Sequence, residues 1–102
     1  MPMVDLVYEE GCPHVGLARA NLEEAFSKCG LPVRWQEHQI GDPEAPPRVR
    51  GFGSPTILVN GRDVARSERG AEACCRLYSG AGGTVGAPPV EMIIGALREF
   101  SA

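Results

Sequence analysis

The fold is decided by residues 4–14, which read VDLVYEEGCPH. An apolar run ends at Gly11, the pair Cys12-Pro13 follows, and a helical pattern of apolar residues begins after the pair. Proline suits the first turn of a helix, because the N–H that it lacks would have no partner there. We therefore expect Cys12 at the junction of a strand and a helix, with Pro13 in the first helical turn.

This junction has a chemical consequence for the Cys12 thiol. The unpaired N–H groups in the first turn of a helix carry partial positive charge. A nearby positive charge favours the thiolate, which is the nucleophilic form of cysteine. The sequence thus makes Cys12 the candidate reactive residue.

Size and composition limit the class of protein. The chain has 102 residues, enough for a single domain over residues 1–102 with one core. A net charge of −3 gives no reason to expect nucleic acid or an anionic membrane as a partner. Neither a membrane span nor a signal peptide is visible, so we expect a soluble cytoplasmic protein. In that compartment the four cysteines are more often thiols, redox groups or metal ligands than structural bridges.

Hydrophobic periodicity predicts the first half of the fold. Alternation over residues 3–8 indicates a strand, and an apolar stripe within residues 14–29 indicates an amphipathic helix. Residues 33–40 read as a second strand. Residues 41–53 are rich in proline and glycine and read as a connector, with room for about one turn of helix near Arg48.

The second half begins with a strand and a tight turn. Residues 56–59 are apolar or β-branched throughout, which is typical of a strand buried on both faces. Asn60-Gly61 is a strong signal for a two-residue hairpin turn. Residues 62–66 are therefore expected to form the antiparallel return strand, with Val64 pointing inward.

The rest of the chain has weaker patterns. Residues 72–78 read as a short helix that carries Cys74 and Cys75, and residues 79–86 read as a glycine-rich loop. The proline pair at positions 88–89 marks the start of a last amphipathic helix. Cys29 falls on the apolar stripe near the end of the first helix and is interpreted as a structural residue of the core. His38 is interpreted as a polar residue on an edge strand.

The order of these elements resembles that of the thioredoxin-like family, over nearly the whole chain. Three local features carry the resemblance, in this order along the chain: Cys12-Pro13, Ser54-Pro55 and Asn60-Gly61. The resemblance implies an α/β fold with a four-stranded mixed sheet, in which a βαβ unit is followed by a ββα unit, with flanking helices.

The resemblance also implies a geometry for Ser54-Pro55. In that family the matching proline follows a cis peptide bond and packs beside the reactive sulfur. We therefore expect a cis bond here, although only about 5–6% of X–Pro bonds are cis in folded proteins. Such a bond would expose the backbone of Ser54 to an extended partner that bears a thiol. Without the resemblance, Pro55 could equally start a strand in trans.

The chain departs from the family's dithiol motif. Residues 12–15 read CPHV, so Val15 stands where dithiol members have a second cysteine. The Cys-Pro-His start resembles strongly oxidising members, in which the histidine helps to stabilise the thiolate. The same role is expected of His14, and the alternative is a solvated residue of the first helical turn without a role. In the family, members that use glutathione usually have a basic residue just before the cysteine, whereas this chain has an acidic pair at positions 9–10. Glutathione is therefore disfavoured as a cofactor, because two carboxylates would repel an acidic tripeptide.

The vicinal pair Cys74-Cys75 leaves three interpretations open. In this fold the loop after the fourth strand can approach the first helix, so Cys75 or Cys74 could resolve a sulfenic acid or mixed disulfide on Cys12. The pair and Cys12 could instead bind a thiophilic ion such as Cu(I) or Hg(II). Either cysteine could also be a small buried apolar residue.

The sequence therefore predicts thiol-based redox chemistry, by thiol–disulfide exchange or as a mixed-disulfide carrier. The expected partner is a thiol-containing protein or a small thiol. In this hypothesis Cys12 is the nucleophile, His14 tunes it, and Pro13, Ser54 and Pro55 position the partner. Two alternatives come from other classes: a module that binds a thiophilic metal, and a thioredoxin-fold adaptor that binds a protein without chemistry.

Overall fold

A four-stranded mixed sheet is the centre of the computed structural model, which describes residues 2–65, 78–80 and 83–101. Its strands are β1 (Val4–Tyr8), β2 (Gln36–Gln39), β3 (Thr56–Val59) and β4 (Arg62–Asp63). The strands lie in the order β2-β1-β3-β4, with β1 parallel to β2 and antiparallel to β3. The last pair, β3 and β4, is antiparallel. The α/β class and the four-stranded mixed sheet predicted from the sequence are therefore confirmed.

Two helices, α1 (Val15–Lys28) and α2 (Val90–Ser101), pack on one face of this sheet. Alternate side chains of β1 and β3 point to that face, as the period of a strand requires. The buried residues of this core include Val4, Leu6, Ile57 and Val59 from the strands, Ala18, Leu22, Ala25 and Phe26 from α1, and Ile93 and Leu97 from α2. The helical residues are those of the apolar stripes predicted from the sequence. Within the described ranges, neither helix is long and apolar enough to cross a membrane.

The opposite face of the sheet is covered by the connector between β2 and β3. The turn of helix expected near Arg48 is present as a 3-10 helix at Pro47–Val49. A second apolar cluster on this face consists of Val7, Leu58, Ala45 and Val49, with Phe52 packed against it. Because both faces of the sheet are covered, all four residues of β3 are buried, as its sequence predicted.

The helix α1 begins later than its proline suggests. Pro13 lies outside the helix, which corrects the prediction that it occupies the first helical turn; the helix is capped by His14 and begins at Val15. The reason is a turn that comes first, closed by a 3.0 Å hydrogen bond from the N–H of Cys12 to the carbonyl oxygen of Glu9. The chain completes this turn before it enters the helix.

Two strands are shorter than predicted. The strand β2 covers only residues 36–39 of the segment 33–40, with one more hydrogen bond of 2.7 Å from the N–H of Ile40 to the carbonyl of Tyr8, and Val33 is 51% exposed. The return strand β4 ends at Asp63, whose carboxylate accepts a 2.9 Å hydrogen bond from the N–H of Ala65 and so turns the chain. Val64 is buried, as expected.

The turn between β3 and β4 has the predicted geometry. Val59 pairs with Arg62, so the loop between the strands contains only Asn60 and Gly61. Both loop residues have positive φ, +52° at Asn60 and +79° at Gly61. This is the backbone conformation that favours Asn-Gly in two-residue hairpins.

A second, two-stranded sheet lies between β4 and α2 in the sequence. Its strands β5 (Tyr78–Gly80) and β6 (Gly83–Val85) are antiparallel. Residues 79–80 and 83–85 are therefore strand, which corrects this part of the loop predicted over residues 79–86, because pairing between the two short strands outweighs their glycines. Tyr78 is in a strand and not in the predicted helix, and the rest of that helix, residues 72–77, lies outside the described residues.

Candidate functional site

Cys12 lies at the junction of strand and helix that the sequence predicted. Its N–H donates to the carbonyl of Glu9 at 3.0 Å, and its own carbonyl accepts from the N–H of Val15 at 3.5 Å. The side chain is a free thiol and is partly exposed. The turn therefore holds a single sulfur between β1 and α1 with access to solvent.

The loop before β3 lies against this turn. Val7 pairs with Thr56, and the antiparallel register continued by two residues sets Ser54 beside Glu9. A hydrogen bond of 2.8 Å from the N–H of Glu9 to Oγ of Ser54 joins them directly. The structure thus brings Ser54 and Pro55 next to the turn that ends in Cys12.

The peptide bond between Ser54 and Pro55 is cis, as the resemblance implied. Thr56 Oγ1 donates a 2.7 Å hydrogen bond to the carbonyl of Gly53 and closes the same loop. Ser54 is fully buried, at 0% exposure, whereas the resemblance implied a backbone open to a partner. The observed contact of Ser54 is with the Cys12 turn, and its role in binding a partner stays a prediction.

The imidazole of His14 packs against the backbone of Gly86. A Cβ placed on Gly86 would lie 2.6 Å from Cδ2 of His14 and closer still to Cγ and Nδ1. The ring therefore occupies the place of a side chain that Gly86 lacks. His14 makes no side-chain hydrogen bond that caps α1.

Tyr78 ties the second sheet to the loop before β3. Its hydroxyl donates a hydrogen bond to the carbonyl oxygen of Pro55, and the side chain is buried. Nδ2 of Asn21 on α1 donates a 2.9 Å hydrogen bond to the carbonyl of Pro88, which holds the segment before α2 against α1. Sequence reasoning missed both contacts, since they join residues far apart in the chain.

Acidic residues border the thiol. Glu9 and Glu10 are exposed in the turn that leads to Cys12, and Oε2 of Glu10 accepts a 3.2 Å hydrogen bond from Gln39 on β2. The turn before Cys12 therefore has two carboxylates on its surface. The effect of these two residues on partners stays a prediction.

The guanidinium of Arg19 is engaged by another carboxylate. It donates to both carboxylate oxygens of Glu37, at 2.7 and 2.9 Å, and lies 5.6 Å from the centroid of the Tyr8 ring. Hydrogen bonds from Arg19 and, secondly, from Trp35 lower the pKa of Glu37, although partial burial opposes them. This cluster fixes α1 to the edge of the sheet above β2.

Sequence reasoning missed a buried charge network on the other face. Asp5 is fully buried; its carboxylate lies 2.8 Å from Nε2 of His38 and accepts two hydrogen bonds of 3.1 Å from Arg48. These hydrogen bonds raise the pKa of Arg48. His38 lies on the edge strand β2, as its interpretation from the sequence has it, and its partly buried side chain also pairs with this carboxylate. The available signal was an aspartate inside an apolar strand.

Two cysteines of the predicted site, Cys74 and Cys75, lie outside the described residues. Across residues 2–65, 78–80 and 83–101, no three or more His, Cys, Asp or Glu residues are grouped so that they could hold a metal ion. A metal site shared by Cys12 and the vicinal pair therefore stays a prediction. Cys29 caps the end of α1 and packs against the core, as its structural interpretation requires.

Comparisons of the chain with protein-family models, curated proteins and solved structures found no match in any of the three. The function proposed below therefore depends on the chain's own residues and geometry.

Proposed function

We propose that the chain is a thioredoxin-like thiol-redox protein whose nucleophile is Cys12. The order of elements and the strand directions support this fold: a parallel βαβ unit from β1 to β2 is followed by an antiparallel ββα unit from β3 to α2. The β5–β6 sheet would then be an insertion between β4 and α2.

One observation carries the functional proposal, the hydrogen bond from the N–H of Glu9 to Oγ of Ser54. It joins two segments that are 45 residues apart. It holds the turn of a partly exposed thiol against the loop that contains Pro55. A structural cysteine would need no such support, since a small buried thiol is held by packing alone.

In the proposed reaction, the Cys12 thiolate attacks one sulfur of a partner's disulfide. The partner's S–S bond breaks and a mixed disulfide forms with Cys12, while the other half leaves as a thiolate and takes up a proton. If a second thiolate of the chain then attacks the Cys12 sulfur, the first half is released as well. Two electrons then pass from two cysteine thiols to the partner's disulfide, and the chain ends with an internal disulfide.

Cys75 or Cys74 is the proposed source of the second thiolate. Cys75 precedes Tyr78 by three residues in the sequence. Tyr78 in turn contacts Pro55 beside the Cys12 turn. A direct bridge to Cys12 needs Cα atoms closer than about 7 Å. Without this second step, the chain would act as a carrier of the mixed disulfide.

The other predicted site residues have supporting roles in this proposal. His14, which follows Cys12 by two residues, stabilises the thiolate, and the exposed Pro13 between them contacts the partner. Ser54, which precedes Pro55, holds the Cys12 turn in place through its hydrogen bond with the N–H of Glu9. Glutathione remains disfavoured because of the acidic residues that precede Cys12.

Mapping of disulfides tests the proposal. The reduced protein is treated with hydroxyethyl disulfide and digested, and the products are identified by mass spectrometry. In a Cys74→Ser/Cys75→Ser variant we expect a stable mixed disulfide on Cys12. In the unsubstituted chain we expect it to convert to an internal disulfide between Cys12 and Cys75 or Cys74. The matched control is Cys29→Ser, which should behave as the unsubstituted chain.

The same samples separate the alternatives. A metal-binding module would bind Hg(II) or Cu(I) stoichiometrically, lose that binding in Cys12→Ser, and form no mixed disulfide. An adaptor would do neither, because its Cys12 would be inert. Either outcome would contradict the redox proposal.

A further inference from the structure

We propose that the β5–β6 hairpin positions the Cys12 site, by holding Pro55 through Tyr78 and by leaving room for the imidazole of His14 at Gly86. The inference rests on the proposed function of Cys12, because it assigns the hairpin a role in that thiol's reactivity. The contacts themselves are independent of any function.

Both contacts come from one end of the hairpin. Tyr78 is the first residue of β5 and pairs with Val85, the last residue of β6. Gly86 follows Val85 directly, so Tyr78 and Gly86 lie together at the open end. This end contacts Pro55 through the Tyr78 hydroxyl and His14 through the backbone of Gly86. A single element therefore bridges two residues that belong to distant segments of the site.

Gly86 is distinct from glycines in the two helices. A Cβ on Gly16 in α1 or on Gly95 in α2 would meet no atom within 4 Å. On Gly86 it would overlap the His14 ring, at separations that real Cβ atoms essentially never show. An L-residue at position 86 is thus incompatible with the observed position of the imidazole.

The ring, and not the backbone, would yield to such a side chain. The segment around Gly86 is held on both sides: Tyr78 bonds to Pro55 before it, and Pro88 accepts a hydrogen bond from Asn21 after it. The His14 side chain makes no capping hydrogen bond that would keep it in place. An alanine at position 86 would therefore push the imidazole away and remove its effect on Cys12, although His14 is still present.

The experiment compares Gly86→Ala, His14→Ala and the double variant in the full chain. The rate of Cys12 alkylation by iodoacetamide is measured by mass spectrometry, and the His14 ring is observed by NMR, its signals assigned from their loss in His14→Ala. We expect His14→Ala to lower the alkylation rate of Cys12 at least about fivefold, and Gly86→Ala to lower it at least about threefold. The double variant should be no slower than His14→Ala alone, because no ring is left to displace.

Gly16→Ala is the matched control, since its new Cβ meets nothing. It should change the alkylation rate by less than about twofold and leave the ring signals of His14 unmoved, whereas Gly86→Ala should shift them. A merely structural glycine would not give this spectroscopic difference.

One more readout and one more variant keep the test decisive if Gly86→Ala folds poorly. The double variant with His14→Ala relieves the overlap, so its melting temperature should exceed that of Gly86→Ala alone. Tyr78→Phe removes only the hydroxyl and should lower the alkylation rate of Cys12 more than about twofold. The inference would be overturned if the effects of Gly86→Ala and His14→Ala on the alkylation rate of Cys12 were additive, or if Tyr78→Phe left that rate unchanged.

The outcomes also distinguish this inference from the proposed function. If Cys12 forms mixed disulfides while Gly86→Ala changes neither its rate nor the His14 signals, the function stands and the inference is wrong. If Cys12 is inert in every variant while the ring signals move, the proposed function fails, and the role of the hairpin at a reactive site fails with it.

Discussion

At the scale of single residues, Asp5 anchors the second face of the sheet. It is the second residue of β1 with 0% exposure, and both of its carboxylate oxygens are hydrogen-bonded, one of them to His38 as well as Arg48. A buried charge is tolerated when its partners satisfy it, and loss of one partner leaves the others uncompensated. The network therefore fixes the connector that carries Arg48 to the sheet.

We predict that Asp5→Asn lowers the free energy of unfolding by about 2–3 kcal/mol, below the roughly 3–5 kcal/mol of a fully buried pair. The reduction is expected because the Arg48 side chain is 32% exposed and can regain water. Urea denaturation measures the change. The matched control is Asp42→Asn, an exposed aspartate, which should cost less than about 0.5 kcal/mol. Equal effects of the two substitutions would show that the network adds little.

The acidic residues before Cys12 lead to a prediction about partner charge. With hydroxyethyl disulfide as the neutral reference, Cys12 should react faster with the cationic disulfide cystamine than with anionic oxidised glutathione. The preference should shrink several-fold in a Glu9→Gln/Glu10→Gln variant and in 1 M salt, where screening acts over about 3 Å. Site-resolved mass spectrometry gives the rates. A preference that is independent of salt and of both residues would contradict this electrostatic account.

At the scale of elements, α1 is fixed to the sheet by the pair of Arg19 and Glu37. The two hydrogen bonds from Arg19 stabilise the ionised carboxylate, and Trp35, which stacks on Phe26 with ring centroids 6.1 Å apart, donates a third at 3.0 Å. The pKa of Glu37 is lowered in the folded state. Stability from this pair is therefore fully present above the unfolded-state pKa and is lost as pH falls through the folded-state pKa.

We predict that Glu37→Gln lowers the free energy of unfolding by about 0.5–1 kcal/mol at neutral pH, as expected for a well-formed but partly exposed pair. The difference in free energy of unfolding between the two proteins should stay constant from neutral pH down to about pH 5.5. It should then shrink as the pH falls below 4.5, the ordinary pKa of glutamate. Denaturation curves from pH 3 to 7 measure it. Glu23→Gln, an exposed change on α1, is the control. A difference that grows as pH falls would reverse the sign argued here.

The elements also show how far local patterns predict this fold. Hydrophobic periodicity sufficed for α1, α2 and the buried strand β3, and Asn60-Gly61 sufficed for the turn after it. The β5–β6 hairpin was missed, because strands of three residues with glycines have little periodicity and depend on pairing for their identity. Pro13 was misplaced because a hydrogen-bonded turn at residues 9–12 competes with the helix start.

Some features of the candidate site could likewise be predicted from the sequence, and others could not. The junction at Cys12 and the cis bond before Pro55 follow from short motifs together with the resemblance. The contacts of His14 with Gly86 and of Tyr78 with Pro55 could not be predicted, since they depend on how distant segments pack. The same holds for the network of Asp5, which joins residues 33 and 43 positions apart.

At the scale of the whole molecule, the sheet separates two packed layers. Both helices pack on one face, and the connector covers the other. At the carboxyl end of β1, the Cys12 turn contacts the loop before β3, and the open end of the hairpin contacts that loop and His14. We infer that the reactivity of Cys12 belongs to the folded molecule and not to the local sequence.

The most direct test is a comparison of Cys12 with Cys29 in the same molecule, since both are free and partly exposed. Iodoacetamide alkylation is followed by mass spectrometry at pH 7, in the folded protein and in 8 M urea. We predict that folded Cys12 reacts at least about tenfold faster than Cys29, and that the two rates converge on unfolding. Equal rates in the folded protein, or a difference that persists in urea, would contradict the account.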